Sequence, residues 1–189
     1  ELCYKGELTP KRGAKAQAEN SSVAPILPAL GYVHVDGVCV AQGGSRKNEL
    51  EAQYIAAWIK ENNEALCNKY SSKEKKKGIH EIVGIITPFA AQKEQIIAAC
   101  KNMGFPCKTQ DNPIGVAIGT VHALQGAERN VVIFSSTYSA HSSNSYFFDK
   151  GNNMLNVAVS RAKDSFIVFG DMDIFDQKAK PPSGILASF

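Results

Sequence analysis

The 189 residues of this chain are informative first through what they lack. No stretch approaches the roughly 18 consecutive apolar residues of a membrane-spanning helix, so no spanning segment is expected. Glycine is nowhere followed by lysine, and no G-x-x-x-x-G-K-[ST] loop is present. The chain therefore cannot cradle nucleotide phosphates as a complete P-loop enzyme does. No G-x-G-x-x-G follows a strand-like run, and Gly43-Gly44-Ser45 is too short for a phosphate cradle, reading instead as a turn into a helix. The absence of G-x-S-x-G argues against a hydrolase triad. His34, His80, His122 and His141 are scattered with no ligand partner at i+4, and Cys3, Cys39, Cys67, Cys100 and Cys107 include no C-x-x-C pair. No metal site is expected from such spacings. An odd cysteine count reads as reduced thiols in a cytoplasmic protein, most of them filling the core. The net charge of +3 does not announce a nucleic-acid binder, so any polyanion site has to be a local patch. Glu1 to Pro10 carry charges and no apolar run, unlike a signal peptide, and a chain opening on Glu1 is expected to be a piece of a longer one.

What is present is ordinary globular material, 44% apolar and 21% charged. The expected organisation is an irregular lead-in over 1–30, one domain over 31–175 and a tail over 176–189. Strand-like runs fall at Tyr32–Val35, Glu81–Thr87, Ile114–Val121, Asn130–Ser136 and Ser165–Gly170. The second, fourth and fifth are almost continuously apolar, as in strands covered on both faces. Helical patterns lie between them. Asn48 with Glu51 reads as a capping box, followed by Ile55, Trp58, Ile59 and Leu66 at helical spacing. Thr87 as cap with Pro88 at the first position predicts a second helix, buried through Phe89, Ile96, Ile97, Cys100 and Met103 and ended by Gly104. A third runs from about Asn153 to Lys163. Alternating strands and helices imply an open α/β domain, a mostly parallel sheet with helices on both faces. The lysine-rich stretch from Lys69 to Lys77 reads as a solvated loop.

The functional signal lies in segments kept in a fixed order: Ile85-Ile86-Thr87-Pro88-Phe89-Ala90-Ala91-Gln92, then Gly119 to Ile133, then Leu155 to Lys163. Thr87 and Pro88 close a buried strand and open a helix, whose free N–H groups suit a phosphodiester. Thr120 ends a strand; Gln125-Gly126 forms a tight turn; Glu128 and Arg129 precede the next strand. Arg161 is read on a helix otherwise lined by small and apolar residues, where a guanidinium reaches a phosphate bidentately. Each piece alone is weak, since a surface ion pair is the ordinary fate of one arginine. Order and spacing together carry the reading.

These segments resemble the second RecA-like motor domain of superfamily-one helicases of the Upf/Dna-type branch, over about residues 31–171. That family reads "I-T-P-[YF]-x-x-Q", "T-V-D-x-F-Q-G-x-E-x-D-x-[IV]-I-x-S" and "L-N-V-A-[LV]-[TS]-R-A-[RK]". Tyr4-Lys5-Gly6-Glu7-Leu8 resembles its "F-Y-x-G-x-L", and Ser45 with Asn48 to Ala52 its "S-x-x-N-x-x-E-A". The departures are His122 for Asp, Leu124 for Phe, Asn130 for Asp, and Glu49 where some relatives carry Arg. The resemblance implies a RecA-like, P-loop NTPase-type fold and a divided site. ATP and magnesium are then held mainly by a first RecA-like domain of the same chain. Arg161 becomes an arginine finger and Glu128 a ribose contact, with Gln125 and Gly126 shaping the loop. Thr87, Pro88, Thr120 and His122 become contacts to single-stranded DNA or RNA. The alternative is a degenerate, non-catalytic motor domain serving as a nucleic-acid or protein adaptor.

Overall fold

A computed structural model describes residues 27–110, 112–120, 128–140, 146–149, 154–175 and 183–184. The elements in chain order are β1 (Leu30–His34), β2 (Val40–Gln42), β3 (Ser45–Lys47), α1 (Glu49–Tyr70), α2 (Ile79–Ile82), β4 (Val83–Ile86), α3 (Ala90–Asn102), β5 (Ala117–Gly119), β6 (Arg129–Ser135), α4 (Met154–Val159) and β7 (Ala162–Gly170). Short 3₁₀ turns lie at Phe147–Asp149 and Met172–Ile174. The main sheet has five strands in the order β1-β7-β6-β4-β5, every neighbouring pair parallel. β2 and β3 form a separate antiparallel hairpin.

The central strands alternate between two apolar layers. Ile85, Val131, Ile133, Ile167 and Phe169 pack with Ile55, Ile59, Ile96 and Cys100 from α1 and α3. Val132, Phe134, Phe166 and Val168 face the other way, against Phe148, Leu155 and Ala158. Burial on both sides explains why β4, β6 and β7 read as unbroken apolar runs. The result is the parallel α/β sheet with helices on both faces that those runs predict. Among the described residues no helix is long and apolar enough to cross a membrane.

Several boundaries differ from the sequence reading, each for a local reason. Glu81 and Ile82 belong to the helical turn α2, because the Glu81 carboxylate accepts from the Gly78 N–H at 3.0 Å and closes that turn before the strand starts. The third strand is shorter than expected: Val116 bridges Cys107, and Ile114 is exposed. α3 starts at Ala90 with Phe89 as its extended N-cap, so Thr87 and Pro88 precede the helix and do not cap it. The Thr87 hydroxyl is instead paired with Thr137 Oγ1 at 3.2 Å. Gly104, at φ +85°, follows the end of α3 as expected. α4 ends at Val159 because Ala162 has joined the sheet opposite Arg129; Arg161 therefore lies in a turn and not on the helix. The capping box at α1 is only half formed. Asn48 Oδ1 accepts from the Glu51 N–H at 3.1 Å, but the Glu51 carboxylate turns into the core. The lead-in as far as residue 26 and most of the tail lie outside the described residues.

Candidate nucleotide and nucleic-acid sites

Parallel strands place all their C-terminal ends on one rim, and Thr87 and Thr120 meet there. The Thr87 N–H donates to the Gly119 carbonyl at 3.1 Å, putting the two threonines on adjacent strand ends. Thr87 is fully buried, whereas Pro88 and Thr120 are half-buried. The surface of this rim is thus offered by Pro88, Thr120 and Phe89, with Thr87 holding it from below. His122 lies outside the described residues.

The opposite rim carries a second group. The Arg129 N–H donates to the Arg161 carbonyl at 3.0 Å, which joins the start of β6 to the turn before β7. Glu128 pairs with Lys163 at 3.4 Å, each side chain about half exposed. Such an exposed pair is worth about 0–1 kcal/mol, so it leaves the Glu128 carboxylate free to exchange partners. Among the described residues the Arg161 guanidinium makes only local bonds, Nε to the Val157 carbonyl and Nη2 to Ser160 Oγ, both at 3.3 Å. No carboxylate pairs with it among the described residues. Gln125 and Gly126, expected beside Glu128, lie outside the described residues. β6 has seven residues, so the two rims are separated by roughly 20 Å at about 3.3 Å per residue.

Between α1, α3 and the exit of β6 lies a buried polar network that the sequence reading missed. The Asn48 N–H donates to Gln92 Oε1 at 2.7 Å, and Gln92 Nε2 donates to the Asn48 carbonyl and to Ser135 Oγ. Ser135 Oγ donates in turn to Glu51 Oε1 at 2.5 Å, and the Thr137 N–H donates to both oxygens of that carboxylate at 3.1 Å. Burial pushes the Glu51 pKa up to about 8, against the lowering pull of Ser135 and the Thr137 N–H. Thr137 has a φ of 71°, an unfavourable region for a β-branched residue, held by the Glu51 carboxylate on its N–H and by Thr87 on its hydroxyl. Asn48, Glu51, Gln92 and Ser135 each fall on a family-like motif, but nothing in those motifs says that the four side chains bond to one another. Among the described residues no group of His, Cys, Asp and Glu is placed to hold a metal ion.

A family model described as AAA domain matches residues 1–173. The chain belongs to the AAA domain family. This AAA domain is 32% identical over 99 residues to the ATP-dependent helicase upf1 of Schizosaccharomyces pombe, covering 52% of the present chain and 10% of that protein. It is 26% identical over 197 aligned residues to a Gallus gallus protein named as helicase MOV-10, covering 94% of the chain and 19% of the relative. The sequence matches bear out the helicase resemblance, and the chain spans no more than about a fifth of the length of these curated relatives. Among solved structures, the C-terminal domain of a possible DNA helicase from Lactobacillus plantarum WCFS1 is similar at a TM-score of 0.46 and 17% identity, covering 77% of this chain and 73% of that one.

Proposed function

We propose that this AAA domain is the C-terminal motor domain of an ATP-dependent DNA or RNA helicase or translocase, and that it completes a nucleotide site whose phosphate loop lies on a first RecA-like domain of the same protein. The observation that carries this reading is Arg161, held at one rim next to Glu128 and without a carboxylate partner among the described residues. An unneutralised guanidinium on a domain with no phosphate loop is what a divided site requires of its second half. Its donors suit the outer charge of a phosphoryl group in transfer, and ATP bound by the first domain supplies that group. The magnesium ion is assigned, with the phosphate loop, to the first domain. Glu128, in its exposed pair, is placed to accept from the ribose, with Gln125 and Gly126 shaping the neighbouring loop. At the other rim Thr120 and Pro88, with His122, form the surface for a single strand, and Thr87 supports them. Contacts of this kind go to the strand backbone and position it without reading sequence.

The test is steady-state ATP hydrolysis by the full-length protein. Arg161→Ala is expected to lower kcat by about 10³-fold or more with little change in nucleotide affinity, because a finger acts on charge that develops in the transition state. Arg161→Lys recovers little, since the planar fork is lost. A wild-type rate for Arg161→Ala refutes the motor and leaves the adaptor reading. One observation favours that second reading: Glu49, standing where some relatives carry Arg, is exposed and among the described residues accepts only from Gln53 Nε2 at 3.4 Å.

A further inference from the structure

Beside the threonine rim lies an aromatic cluster in which Phe89, from the first family-like segment, is joined by Tyr138 and Phe147, which belong to none of those segments. Phe147, on the 3₁₀ turn that follows β6 in the chain, is 43% exposed. Its ring packs on Phe89 with centroids 6.1 Å apart and planes tilted by 41°. Phe89 packs edge-on against Tyr138 at 5.4 Å, and the Tyr138 hydroxyl accepts from the Phe147 N–H at 3.0 Å. Phe147 is therefore held by the Phe89 ring, itself backed by Tyr138, and by a backbone bond to the Tyr138 hydroxyl, while much of its surface stays open. Arg46, on β3, lies over the Tyr138 ring at 5.3 Å, and no carboxylate pairs with it among the described residues. Phe89 follows the end of β4, and Tyr138 the end of β6. The cluster thus sits one strand away from Thr120, which leaves the neighbouring β5.

An exposed aromatic ring costs solvation unless something covers it, and its surroundings narrow what that is. Arg46 Nη1 donates to Cys39 Sγ at 3.8 Å; a purely apolar partner would bury the guanidinium with that sulfur and the Tyr138 ring but no anion among the described residues, which is expensive. A flat π-face linked to a phosphate satisfies both groups at once. We propose that Phe147, backed by Phe89 and Tyr138, is a stacking platform for one base of a single-stranded nucleic acid, with Arg46 meeting the adjoining phosphate. This rests on the nucleic-acid reading of the rim and adds to it a contact that depends on the base and not on the backbone. Every base has a π-face, so the platform holds a strand without selecting its sequence.

The experiment is fluorescence anisotropy on the full-length protein with a labelled oligothymidylate and a strand of equal length whose central nucleotides are abasic. Phe147→Ala is expected to bind the base-bearing strand about tenfold more weakly, the scale of one lost stack, and to bind the abasic strand as wild type does. Phe147→Leu, which keeps apolar bulk and guards against misfolding, shows the same selective loss, and Phe147→Trp restores binding. Equal losses on both strands, or wild-type binding by Phe147→Leu, overturn the platform while leaving the rim intact. A wild-type protein that binds neither strand overturns the nucleic-acid reading itself, and the platform with it.

Discussion

Glu51 sits where a helix-capping carboxylate is expected and does something else with its charge. Its oxygens accept from Ser135 and Thr137, residues more than 80 positions away in the chain, and burial raises its pKa to about 8. A carboxylate whose folded pKa lies above its unfolded value favours the folded state most when protonated. Its contribution is complete below the unfolded pKa of about 4.5 and is lost as pH rises through about 8. The melting temperature of the wild-type chain is therefore expected to fall, relative to Glu51→Gln, as pH rises from about 4.5 to about 8, and to level off above that. Thermal unfolding followed by circular dichroism across that range checks it, and a difference that stays flat removes Glu51 as the titrating group. Gly170 shows how closely this corner is filled. It has φ +145°, and a Cβ added there would sit 2.0 Å from Ser136 Oγ and 3.3 Å from Glu51 Oε2.

At the level of elements, the centre of the sheet was written plainly in the chain. Val131–Phe134 and Phe166–Phe169 are apolar at every position because alternate residues enter opposite layers. Removing one large ring from such a strand leaves a cavity with little room to collapse. Phe134→Ala, which strips a ring packed against Phe148 at 5.8 Å and Phe166 at 6.1 Å, is expected to cost about 3–5 kcal/mol in denaturant unfolding. A cost below about 1 kcal/mol in that unfolding would mean that the layer is not packed as described. Element ends were harder to read. The Thr-Pro pair looked like a helix start, yet the threonine hydroxyl is engaged by Thr137, fifty positions on. Arg161 looked helical because the apolar pattern of α4 runs on through Ala162, which is spent on β7 instead. Thr87, Thr120, Glu128 and Arg161 could be picked out of the sequence because they sit in contiguous segments. How the polar network and the Phe89–Tyr138–Phe147 cluster assemble could not be read, because their members come together only when the start of α1, α3 and the ends of β4 and β6 pack against one another.

Taken as a whole, the molecule carries its two proposed sites at opposite ends of the sheet. The Glu128–Arg161 rim and the Thr87–Thr120 rim are joined by the length of β6. The purified 189-residue chain is expected not to hydrolyse ATP, since it contains no phosphate loop. Motor-like turnover by this chain, unaffected by Arg161→Ala, would place the whole catalytic apparatus here and overturn the division. The pairing of β1 with β7 also has a consequence in time. Leu30 lies opposite Phe166, so when β1 leaves the ribosome its neighbour has not yet been made. At about 5–20 residues per second the wait is roughly 7–27 s. During that interval the apolar strands β4 and β6 emerge with no completed layer over either face. The nascent chain therefore passes through a stage of high demand for chaperone protection, and a ribosome stalled before Ala162 would prolong it.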